Sequence, residues 1–150
     1  MDEVIRLDEN YAVATSEPTR ETFHDIAADG FRSVVSFQTQ GEEQKLRIDE
    51  ERRAADQAGL AFYHQAVSGE SLDDEVVDRF RTAVSDLPKP VLLHCSSGKR
   101  AGAMIMMHLA DETGLSGDEA LKKAESMGFE CDNPKLEAFV KSYVDRHQHA

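Results

Sequence analysis

Short apolar runs alternate with amphipathic stretches along the whole chain of 150 residues. Tyr11-Ala12-Val13-Ala14-Thr15 follows a turn-like Asp8-Glu9-Asn10 and predicts a short strand. Pro18-Thr19-Arg20-Glu21 opens a helix that carries Phe23, Ile26 and Ala27 and stops at Gly30. Ser33-Val34-Val35-Ser36-Phe37 predicts a buried strand. Residues 42–58 predict a very polar helix, with Leu46, Ile48, Ala54, Ala55 and Ala58 as its thin apolar content. Leu60-Ala61-Phe62-Tyr63-His64 predicts the next strand. Ser71 is the expected cap of a helix whose Val76, Val77, Phe80, Val84 and Leu87 repeat at helical spacing. Pro88 and Pro90 end that helix, and Val91-Leu92-Leu93 forms a short all-apolar strand. A helix-compatible stretch follows from Ala101. Ser116-Gly117-Asp118-Glu119 reads as a capping box, with Leu121, Ala124 and Met127 behind it. Asn133-Pro134 opens the last helix, striped by Leu136, Phe139, Val140, Tyr143 and Val144.

Strands separated by helices imply an α/β fold of three layers, a mostly parallel central sheet flanked by helices. The length suits a single domain over residues 1–150, and neither an internal repeat nor a linker divides it. In such sheets ligands bind beyond the carboxyl ends of the strands. His94-Cys95 leaves the Val91-Leu92-Leu93 strand at that end.

Composition narrows the function classes. The apolar fraction of 40% and charged fraction of 31% describe an ordinary globule. No apolar run approaches a membrane span, and the N-terminus does not read as a secretion signal, so the cytoplasm is the expected compartment. The formal charge of -12 argues against a broad basic face for nucleic acid. Against that acidic background an anionic substrate needs local positive charge, which Lys99 and Arg100 can supply. Two cysteines and six scattered histidines make no zinc pattern, so neither metal nor other cofactor is expected. A redox partnership of Cys95 with Cys131 is a minor alternative.

The chemistry concentrates in Cys95-Ser96-Ser97-Gly98-Lys99-Arg100. A thiol at a helix N-terminus and near a guanidinium is favoured as thiolate, because dipole and cation both stabilise the charged form. Gly98 permits a tight loop whose backbone N–H groups converge on an anion. Arg100 offers a planar fork for two oxyanion atoms. Ser96 and Ser97 can donate to the thiolate or to a bound phosphate or sulfate. A buried structural Cys95 beside a surface Arg100 is the bland alternative.

At these residues the chain resembles the cysteine-dependent phosphatases and rhodanese-type sulfurtransferases. Tyrosine and dual-specificity phosphatases carry His-Cys, five residues, then Arg; here four intervene, the usual rhodanese length. Ala14-Thr15-Ser16-Glu17-Pro18-Thr19, Gly30-Phe31-Arg32-Ser33-Val34-Val35, Ala66-Val67-Ser68-Gly69-Glu70-Ser71-Leu72 and the Cys95 loop occur in that order. Together they resemble the bacterial phosphatase-like domain found fused to β-lactamase-like hydrolases, over roughly residues 4–130. The resemblance implies a fold like that of the protein tyrosine and dual-specificity phosphatases. It also implies that Cys95 attacks phosphorus, that Arg100 and the loop stabilise the equatorial oxygens, and that His94 orients the loop. The family's general acid is an Asp, and none stands near Ser68; Glu70 is the first candidate and Asp73 the second. His64, at a strand end, is a weaker one. Phosphatases often have Ser or Thr directly after the Arg, where this chain has Ala101. Three readings follow: hydrolysis of a phosphorylated protein or small molecule, sulfur transfer through a persulfide on Cys95, and a non-catalytic anion-binding module.

Overall fold

The computed structural model describes residues 4–15, 19–38, 47–67, 72–95, 99–127 and 134–146. The elements are β1 (Val4–Arg6), β2 (Tyr11–Ala14), α1 (Arg20–Ala28), β3 (Ser33–Ser36), α2 (Ile48–Gln57), β4 (Ala61–His64), α3 (Asp74–Asp86), β5 (Val91–His94), α4 (Lys99–Thr113), α5 (Gly117–Ser126) and α6 (Pro134–Arg146). The five strands form one sheet in the order β1-β2-β5-β3-β4. Only β1 runs antiparallel, against β2; the other pairings are parallel, as strands joined through helices require.

Strand alternation divides the interior into two cores. Tyr11, Val13, Val35, Val91 and Leu93 face the layer of α3, α4, α5 and α6. Ala12, Ala14, Val34 and Leu92 face Phe23 and Ile26 of α1 and Ala54 and Ala55 of α2. Helix α4 is the central member of the larger layer, with Ala103 through Ala110 buried on every side. A helix so placed needs apolar or small residues all round rather than one stripe, which Met104, Ile105, Met106 and Met107 provide.

Local chemistry sets the element boundaries, with some departures from expectation. Asp8 Oδ1 accepts the N–H groups of Asn10 and Tyr11 at 2.8 and 2.9 Å, closing the turn into β2. The preceding β1 was not expected, because three edge residues are too few to show alternation. Residues 42–46 of the expected polar helix lie outside the described residues. Arg47 is extended (φ -72°, ψ 160°), so the helix proper begins at Ile48, with Glu50 Oε1 accepting the Arg47 N–H at 3.0 Å. The cap of α3 is Asp73, not Ser71: its Oδ1 accepts the Val76 N–H at 2.9 Å. Ser71 itself lies outside the described residues, as does Pro18, and α1 is capped by Thr19. The capping box of α5 is as expected, with Ser116 Oγ accepting from Glu119 N at 3.1 Å and Glu119 Oε1 from Ser116 N at 2.9 Å. The Ser116 N–H, helped by the Ser116 hydroxyl, holds the Glu119 carboxyl below its ordinary pKa.

Candidate functional site

Strand β5 lies in the middle of the sheet, between β2 and β3, and its carboxyl end delivers His94 and Cys95. Alternation sends these neighbours to opposite faces. Cys95 belongs to the core under α3 to α6 and is 1% exposed. His94 is fully buried and its Nε2 lies 2.6 Å from Glu51 Oε1, on the α2 side.

Four residues after Cys95 the chain enters α4 at Lys99. The backbone N–H of Ala101 points at Cys95 Sγ, 3.4 Å away. The sulfur therefore lies against the first turn of α4, where unpaired amide groups and the helix dipole favour negative charge. Arg100 sits on the same turn, and its Nη1 donates to the Val67 carbonyl at 2.9 Å. Val67 is buried and its own N–H donates to Phe37 O at 3.0 Å, so the guanidinium is tied to backbone fixed by the sheet. Thiol and guanidinium thus leave one strand-to-helix connection, an arrangement suited to a nucleophile beside an oxyanion clamp.

The other expected residues are less fully placed. Ser96, Ser97 and Gly98 lie outside the described residues, and so do Glu70 and Cys131. Lys99 is the first residue of α4. Asp73 has its carboxylate engaged in capping α3. His64 Nε2 lies 2.7 Å from the Gln38 carbonyl; a carbonyl only accepts, so Nε2 carries a proton directed at backbone. One contributor escaped the sequence reading, Glu51. Its signal was present: Glu51, Ala54, Ala55 and Ala58 share the i, i+3, i+4, i+7 face of α2, which puts a carboxylate on the buried stripe.

Among the described residues no helix is long and apolar enough to cross a membrane. The architecture is shared with solved phosphatase-like proteins. A candidate phosphatase from Neisseria meningitidis superposes with a TM-score of 0.79 at 23% identity, covering 95% of this chain and 99% of the other. PTPMT1, solved in complex with PI(5)P, gives a TM-score of 0.78 at 15% identity, covering 97% of each chain. In sequence, a beta-lactamase hydrolase-like protein of Xylella fastidiosa is 28% identical over 128 residues, covering 85% of this chain and 30% of the relative. The chain thus spans about a third of the length of that relative. The family model described as "Beta-lactamase hydrolase-like protein, phosphatase-like domain" matches residues 4–111, which take in β1 through most of α4 and the whole Cys95–Arg100 connection; the chain belongs to that family of phosphatase-like domains, built on the protein tyrosine phosphatase fold.

Proposed function

We propose that the chain is a cysteine-dependent hydrolase of phosphomonoesters, acting on a phosphorylated protein or small molecule. The observation that carries this reading is Cys95 Sγ seated against the first turn of α4, 3.4 Å from the Ala101 N–H, with Arg100 anchored beside it. Cys95 Sγ attacks phosphorus, the phosphorus–oxygen bond to the leaving group breaks, and a thiophosphoryl enzyme forms. Water then cleaves the sulfur–phosphorus bond, releasing phosphate and restoring the thiol. Arg100, Lys99 and the N–H groups of Ser96, Ser97 and Gly98 hold the phosphoryl oxygens, and the loop accepts free phosphate or sulfate. The leaving oxygen takes its proton from Glu70, three residues beyond the Val67 carbonyl that holds Arg100. Asp73 is the second choice for this step, because its carboxylate already caps α3. The described strands share one sheet with helices packed against it, which supports residues 1–150 as one domain. The chain needs no cofactor, and its net charge of -12 makes neither nucleic acid nor an anionic membrane surface its partner.

A second reading, sulfur transfer through a Cys95 persulfide, is favoured by one feature, the four residues between Cys95 and Arg100. One assay separates them. Under reducing conditions, the wild type is expected to release phosphate from an aryl phosphate with an acid-limb pH optimum, and Cys95→Ser to release none. Phosphate release that survives Cys95→Ser, or is absent from both, sinks the phosphatase reading. Thiosulfate-to-cyanide transfer then becomes the deciding assay for the sulfurtransferase.

A further inference from the structure

Among the described residues Glu51 is the one acidic side chain withdrawn from water, at 1% exposure. A buried carboxylate without a partner is strongly disfavoured, so such a group marks a specific interaction. The nearest polar group is Nε2 of His94, 2.6 Å from Glu51 Oε1, and His94 is fully buried. Neither side chain forms a hydrogen bond to any other group among the described residues. A bare carboxylate facing an imidazole lone pair is repulsive, so at least one proton lies between the two atoms. That proton is shared with His94, the residue one peptide bond from Cys95.

We propose that Glu51 is a positioning residue for the Cys95 loop, which it serves through His94. The carboxylate reaches from the buried face of α2 to the last residue of β5, so that the backbone leaves the strand in one orientation. It also fixes the Nε2–H tautomer and the ring orientation of His94, which keeps the Cys95 sulfur seated against the Ala101 N–H, where negative charge on sulfur is favoured. Along the sheet the residues beside His94 are Ala14 on β2 and Ser36 on β3, neither of which carries a charge. The inference rests on Cys95 being the nucleophile of the proposed reaction.

The test is alkylation of Cys95 by iodoacetamide, followed across pH on the peptide that contains Cys95, so that Cys131 does not contribute. At about pH 6, Glu51→Gln is expected to slow alkylation about tenfold, the lower end of the effect of removing the carboxylate that orients a metal-bound histidine. The rates converge at alkaline pH, where every thiol is ionised, and Glu51→Asp recovers part of the loss. Identical profiles for wild type and Glu51→Gln would reduce the pair to a packing feature and overturn the proposal. This readout requires no phosphate release, so it stands or falls separately from the phosphatase reading. If Glu51→Gln does not fold, the wild type alone decides, through long-range proton–nitrogen correlation of its imidazoles near neutrality. A proton on His94 Nε2 is expected, and a bare Nε2 overturns the proposal.

Discussion

Arg100 is held by the Val67 carbonyl, which accepts from its Nη1 at 2.9 Å. That bond fixes the plane of the guanidinium, which matters because bidentate recognition of a phosphoryl group depends on planarity as well as charge. Arg100→Lys keeps the charge and loses the fork. Steady-state assay on an aryl phosphate is expected to show a loss of about 100-fold in kcat/KM, the scale of removing one preorganised oxyanion donor. A variant as active as wild type would mean that a point charge suffices. Cys95 and Arg100 stand out in the sequence because the features that frame them are contiguous: an apolar strand, a short glycine-containing connection and a helix start. Glu51 is not legible in the same way. Its partner lies on another element, and only the fold shows that alternation along β5 aims His94 at α2 while Cys95 goes the other way.

Among the elements, what the hydrophobic pattern reveals well is the central strands, since β2, β3 and β5 are buried on both faces and read as unbroken apolar or small runs. Caps are harder. Ser71 and Asp73 are both good cap residues, and only the backbone decides that Asp73 is the extended residue before the first turn of α3. The end of α3 depends on a side chain no pattern would single out: Lys89 Nζ donates to the carbonyls of Val84, Ser85 and Leu87 at 3.0, 3.1 and 3.0 Å. Gly117, read only as part of a capping box, carries a packing role as well. A Cβ built on it would lie 2.6 Å from the Lys141 carbonyl oxygen and 2.9 Å from the Lys141 Cα. The same residue donates its N–H to Asp145 Oδ1 at 2.8 Å, so the start of α5 is pressed against α6. Gly117→Ala must push the two helices apart and is expected to destabilise the fold by about 1–3 kcal/mol, the usual range for overpacking. Urea unfolding checks this, and an unchanged midpoint would show that α5 shifts at no cost.

Across the whole molecule, the larger helical layer is fastened by a polar cluster at the opposite end of the sheet from Cys95. Arg81 of α3 pairs with Asp111 of α4, and donates from Nη1 to Tyr143 Oη of α6 at 3.2 Å and from Nε to His108 Nδ1 of α4 at 3.3 Å. Tyr143 donates to Asp78 Oδ1 at 2.5 Å. Burial, helped by that bond, pushes the Tyr143 hydroxyl up to about 12, so it stays a donor through the working pH range. His108 is the member that titrates. Burial, assisted by the charges of Arg81 and Lys89, holds its pKa below the ordinary value and outweighs Glu112 and Asp111, which pull the other way. The Arg81 bond requires Nδ1 to be an acceptor, which protonation would remove. The sign of the stability effect follows. Below the unfolded value of about 6.5 the unfolded chain binds this proton while the folded one resists it, so stability falls as pH falls. The contribution is complete above that value and disappears on descending through the lower folded one. The free energy of urea unfolding should therefore drop between about pH 7.5 and about pH 5.5, and drop less in His108→Gln, whose amide can still accept from Arg81 but cannot titrate. Equal losses in the two proteins would show that other titrating groups set the acid sensitivity. A smaller loss in the variant would place it at the clamp between α3, α4 and α6, away from Cys95.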